Sequence, residues 1–174
     1  KGYLEAFLAV KQTVSDILSG QSPVDAVRRD YGAWYRGLFS ASVQSGILEP
    51  HHLAGFRNSP VYIRGSRHVP LPPSAVTDAV AAFFDHLHDV TNPAVRAVLG
   101  HFVFTFIHPY MDGNGRMARF LMNAMMASGG HPWTIIRVER RQAYMAALEA
   151  ASCEGDIIPF ARFIQLESSV DWMA

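Results

Sequence analysis

The chain has 174 residues, 49% hydrophobic and 17% charged, with 15 basic residues against 15 acidic ones and 8 histidines. That suffices for one domain with a sizeable core, and it excludes a disordered tract and a broad, salt-driven nucleic-acid surface. No apolar run reaches the ~20 residues of a membrane span, no signal peptide opens the chain, and the lone Cys153 cannot close an internal disulfide, which points to a reducing, cytoplasmic setting.

Lys1 stands where an initiator Met would be, the mark of a fragment of a longer chain. Apolar residues at helical spacing (Leu4, Phe7, Leu8, Ile17, Leu18) predict a helix over 3–18, stopped at Gly20. Ser22 as N-cap and Pro23 at the first helical position restart it, with Gly32 and Gly37 as weak points. Residues 59–73, SPVYIRGSRHVPLPP, break the helical rule and predict a β-hairpin, its return confined to an edge by Pro70. Ser74 is expected to cap a helix through His88.

The Thr91-Asn92-Pro93 stretch opens the next helix, which puts Val95, Val98, Leu99, Phe102, Val103 and Phe106 on one face, with Phe104 and Ile107 beside them. This is the expected central core helix, ended by Pro109 because residue 108 is pushed out of helical geometry. A further helix is expected from about Gly115 to Ser128, where Met122, Met125 and Met126 fill core. Helices over 137–152 and 157–170 complete an all-α fold. His51-His52 lacks a third ligand and reads as a solvated pair, and Cys153 has no base beside it.

The polar stretch His108–Arg119, HPYMDGNGRMAR, carries the chemistry. Gly113 and Gly115 flank Asn114, so the backbone can bring N–H groups close to a ligand, and the loop feeds the positive end of a helix. Arg116 and Arg119 share a face of its first turn and would repel each other without an anion between them, so the expected ligand is a polyphosphate. Asp112 is the only carboxylate of the stretch, and one carboxylate plus phosphates is how Mg²⁺ is held. His108, mounted on a rigid helix, is the natural general base. Together these predict phosphoryl or nucleotidyl transfer.

The stretch also resembles the motif of the Fic family, H-P-[FY]-x-[DE]-G-N-G-R-x-x-R, and the likeness extends from about Tyr31 to Ile164 through AGFRNSPVYI and RRQAYMAALEAASCEGDIIPFARFI. The resemblance implies a single Fic domain over 1–174, with its core at about 31–164, residues 1–30 as a helical extension and a short β-hairpin flap. It implies protein AMPylation: AMP moves from ATP·Mg²⁺ to a Ser, Thr or Tyr hydroxyl of a target protein, with release of pyrophosphate. His108 would be the base, Asp112 the Mg²⁺ ligand, Gly113, Asn114 and Gly115 the anion nest, and Arg116 and Arg119 the β- and γ-phosphate clamp. Ile63, Arg64, Gly65 and Ser66 would cover the nucleotide, and the 59–73 flap would take the target by strand addition.

Tyr144, Met145 and Ser152 would surround the adenine, where some members carry a Tyr-Tyr pair and an Asn; the exchange predicts a loose preference for ATP. The family's inhibitory pattern, [S/T]-x-x-x-E-[G/N], is approached twice. Ser45 to Glu49 is followed by Pro50, and Glu154-Gly155 is preceded by Ala150 where Ser or Thr is needed, so neither matches. Two alternatives remain open: transfer of another phosphate-containing group, and a non-catalytic module that binds peptides through its flap. No nucleic-acid or membrane partner is expected, and a homo-oligomer is compatible with the sequence.

Overall fold

The computed structural model describes residues 2–169. Its order is α1 (Gly2–Leu18), α2 (Pro23–Gln44), α3 (Val76–Asp89), α4 (Pro93–Ile107), α5 (Asn114–Ala127), α6 (Arg141–Glu149) and α7 (Ile158–Ser168), with 3₁₀ turns between α2 and α3 and between α5 and α6, and a π-turn at Ala150–Glu154 after α6. The last helix was expected to reach Val170, which lies outside the described residues.

Helices α1 and α2 form one antiparallel pair and α4 and α5 another; α5 packs on both members of the first pair. Ser22 does cap α2, accepting from the Asp25 N–H at 3.4 Å. Gly37 does not weaken α2, because α1 crosses there: a Cβ would stand 3.1 Å from the Ala6 nitrogen. Close helix approach is what the glycine supplies. Below the crossing, fully buried Trp34 donates its indole N–H to Thr13 Oγ1 at 3.2 Å, and Thr13 in turn reaches Asp30 at 2.7 Å.

The buried face of α4 differs from the expected one. It consists of Ala97, Gly100, His101, Phe104 and Ile107, whereas Val95 is exposed and Val98, Leu99, Phe102, Val103 and Phe106 are half-buried. Small residues win the inward face because they admit α5: a Cβ on Gly100 would come within 2.4 Å of Leu121 Cδ2. The bulky residues are left outside, partly covered by α3 and α7. Met122, Met125 and Met126 are core, as expected.

Two further expectations fail locally. Ser74 makes no capping bond; Pro73–Ala75 form a 3₁₀ turn and α3 starts at Val76. Residues 59–73 turn back at Ile63–Ser66, where Ser66 N–H donates to the Ile63 carbonyl at 3.1 Å and Gly65 has φ +79°, yet no strand forms among the described residues. Four prolines (Pro60, Pro70, Pro72, Pro73) lack the N–H a ladder needs. Side chains hold the segment instead: Arg57 binds the carbonyls of Ser59 and Leu71, and His68 Nε2 lies 2.9 Å from the Phe106 carbonyl.

Candidate active site

The site forms where α4 ends and α5 begins. His108 takes φ 54°, ψ 59°, and is the only non-glycine residue with positive φ among the described residues. The left-handed region is uphill for a residue with a Cβ and survives only where its surroundings enforce it. Here Pro109 forbids further helix, while the His108 N–H still closes the last helical bond to Phe104 at 3.1 Å.

The His108 imidazole is half-buried, with Nδ1 at 3.3 Å from the Thr105 carbonyl. A carbonyl can only accept, so that nitrogen carries the proton and Nε2 keeps its lone pair. Burial lowers the pKa of the ring below the ordinary imidazole value, and the charges of Arg57 and His68 act in the same direction; the Thr105 carbonyl and Asp112 oppose them. A neutral ring with a free Nε2 is what a general base requires.

Asn114 is buried and its amide closes the loop: Oδ1 accepts from Tyr110 N–H at 2.9 Å, and Nδ2 donates to the Tyr110 carbonyl at 2.8 Å. Tyr110 is itself stacked on Tyr35, with ring centroids 3.7 Å apart. Gly113 has φ +85°, and a Cβ there would lie 2.9 Å from the Phe39 ring, so both conformation and space demand glycine.

Asp112 is exposed, accepting from Gly113 N–H at 2.6 Å and from Arg116 Nη2 at 3.0 Å. Among the described residues no three His, Cys, Asp or Glu side chains gather to hold a metal. A single open carboxylate fits Mg²⁺, which keeps most of its waters and takes the remaining oxygens from phosphates, and does not fit a caged zinc or calcium.

Arg116 lies over the Phe39 ring at 5.1 Å, and Arg119 folds back so that Nη1 is 3.6 Å from a Cβ built on Gly115. Both arginines line one cavity, together with Tyr3, Phe120, Asn123 and the Trp133–Ile136 segment. Glu49 caps a 3₁₀ turn with His52, and Glu154 pairs with Arg67, so neither sits on Arg119.

Of the residues assigned to the base, Ile63, Ser66, Met145 and Ser152 do line a common pocket. Arg64 and Gly65 stand exposed at the tip of the turn. Tyr144 is not in the pocket: it faces the core, with its hydroxyl 3.2 Å from Nε2 of fully buried His101. It also neighbours Arg119, whose charge works against the burial that raises the tyrosine to about 12. A helix turns 100° per residue, so the residue before Met145 necessarily points elsewhere.

Sequence reasoning missed His68, Thr105, Leu148 and Glu149, which complete the pocket. The Glu149 carboxylate accepts from the Ser66 hydroxyl and from the Arg67 N–H at 2.8 Å, and these bonds, the Ser66 hydroxyl first, hold its pKa down to about 2. It also takes the Cys153 thiol at 3.4 Å; that thiol is raised by desolvation and by Glu149, which suits an inert cysteine. Nothing local in the sequence announces a contact between residues 66 and 149. Arg57 was also missed; its polar neighbours Asn58 and Ser59 give no sign that it is buried.

Comparison with known proteins bears on this arrangement. The model of the Fic/DOC family matches residues 28–126. A protein adenylyltransferase fic-1 from Caenorhabditis briggsae is 35% identical over 127 residues, 71% of this chain and 24% of its own. A protein adenylyltransferase Fic from Nematostella vectensis is 38% identical over 123 residues, 68% of this chain and 28% of its own. The solved structure of Fic-1 from C. elegans superposes with a TM-score of 0.76 at 27% identity, over 96% of this chain and 47% of that one. The chain thus spans about a quarter of the length of the curated relatives it matches.

Proposed function

The chain belongs to the Fic/DOC family, and from that premise we propose that it is a protein adenylyltransferase, moving AMP from ATP·Mg²⁺ to a Ser, Thr or Tyr hydroxyl of a target protein. The observation that carries the reading is the pairing of a neutral His108, its Nε2 free, with a glycine loop and two arginines beginning five residues further on. A base next to a polyphosphate cradle suits attack by a hydroxyl on phosphorus.

In this reading His108 Nε2 takes the proton of the acceptor hydroxyl as its oxygen bonds to the α-phosphorus. The bond from that phosphorus to the β-bridging oxygen breaks, and pyrophosphate leaves against Arg116 and Arg119, which neutralise its growing charge. The backbone of Gly113, Asn114 and Gly115 holds the phosphates at the start of α5. Asp112 would hold Mg²⁺, which when bound withdraws charge from the phosphate oxygens. Ile63, Ser66, Met145 and Ser152 close on the base, with Arg64 and Gly65 at the flap tip, and Glu149 joins them as a residue the sequence did not point to.

The target would lie along 59–73, which pairs with no strand among the described residues; an added strand would use the backbone groups of Val61 and Tyr62, between Pro60 and the turn. No helix of the described residues is long and apolar enough to cross a membrane; the lone Cys153 supports a reducing, cytoplasmic site of action. Incubation with α-labelled and γ-labelled ATP in turn tests the reading. Label on protein from the α position only is expected. Transfer of γ-label, or of neither, would replace it with phosphorylation or with a binding role.

A further inference from the structure

Arg57 is only 4% exposed and has no carboxylate partner among the described residues. Its charge is solvated by main chain alone. Nε donates to the His108 carbonyl at 2.7 Å and Nη1 to the Ser59 carbonyl at 3.2 Å; Nη2 donates to the Leu71 carbonyl and, at 3.4 Å, to that of Ile107. Its own backbone N–H donates to the Pro109 carbonyl at 2.9 Å.

These acceptors fall into two sets. Ile107, His108 and Pro109 are the end of α4, where unpaired carbonyls carry the negative pole of the helix and so compensate a buried cation. Ser59 and Leu71 are the two feet of the flap. One rigid fork therefore spans both, and only a guanidinium has the donors and planarity to do so. His108 needs such a constraint, because its left-handed backbone is uphill: Phe104 holds its N–H and Asn114 holds Tyr110 two residues on, while the carbonyl of His108 itself is held by Arg57.

We propose that Arg57 is a positioning residue for the reaction: it locks the left-handed turn that aims His108 and ties both feet of the flap to that turn, so that base and flap form one mechanical unit. The inference rests on His108 as the base, and its reach is more than stability. A structural prop would fail the whole fold, whereas this clamp should fail at two places.

Arg57→Lys keeps the charge and loses the fork. It should lower kcat for AMP transfer tenfold or more, while the KM for ATP, which a looser flap also affects, changes by less than kcat, since Arg57 makes no hydrogen bond to the loop or the arginines of 112–119. Hydrogen exchange in the same variant should quicken in 58–72 and 107–110 and stay unchanged in α1, α2 and α5. A kcat within twofold of wild type overturns the proposal, and so does a parallel rise in KM with faster exchange throughout. Should the variant not fold, exchange on the wild-type protein decides: the amides of 58–72 and of His108 should open in one step with a common free energy, and two separate free energies would refute the coupling. If the wild-type chain transfers no AMP yet shows the single opening, the functional reading falls and the clamp stands.

Discussion

As the proposed base, the His108 imidazole would act only while neutral, and its burial favours that form. Because burial lowers its pKa, the acid limb of kcat/KM for AMP transfer should lie below the ordinary imidazole value of about 6.5, with activity lost as pH falls through the lowered value and a plateau through pH 7. A limb above 7 would mean that a different group is titrating. His108→Ala should cut transfer by ~10²–10⁴-fold while ATP affinity, measured by calorimetry, changes little, because in the proposed mechanism the ring serves the acceptor hydroxyl and not the phosphates. The motif residues were legible in the sequence because loop and base are contiguous there. Tyr144 was not: two adjacent residues were assigned to the adenine, but only Met145 lines the pocket, and the partner that draws Tyr144 inward, His101, lies 43 residues away. Glu149 and Arg57 were hidden for the same reason, since both act across the fold on segments with no local signature.

Among the elements, helix ends were the most readable feature, because Ser22, Asn92 and the prolines after them act through near neighbours. The orientation of α4 was not, since hydrophobicity ranks Val95 and Phe102 above Ala97 and Gly100, and packing inverts that order. Gly100→Ala tests the inversion. The added methyl meets Leu121 Cδ2 in the α4–α5 contact, so the variant should lose about 1–3 kcal/mol in urea unfolding despite its better helix propensity. A gain in stability would place the true contact elsewhere on α4. The flap failed as a predicted hairpin because alternation of side chains says nothing about donors, and four prolines remove some of them.

At the scale of the whole molecule, fully buried His101 makes stability depend on acid. Burial pulls it to about 3, so between pH 6.5 and 3 the unfolded chain binds a proton that the folded one refuses. Above 6.5 both forms are neutral and nothing is lost. Below it, stability should fall by up to ~1.4 kcal/mol per pH unit, or about 2 kcal/mol by pH 5. Urea unfolding at pH 7.5 and 5.0 measures this; His101→Gln keeps a polar group toward Tyr144 and should flatten the slope. An unchanged slope would assign the acid sensitivity to other groups. The bridge from Glu149 to Ser66 and Arg67 reaches into time as well. With it closed, the pocket lined by Ile63, Ser66, Met145 and Ser152 has a volume of about 40 Å³, room for a few waters and too small for the purine of the proposed substrate, which would enter only as the flap swings away. Nucleotide capture then waits on an internal clock: observed association rates should level off as ATP is raised in stopped-flow mixing, with the ceiling equal to the opening rate. Glu149→Ala should lift that ceiling, and a rate that climbs linearly in the wild-type protein would show that the door is never shut.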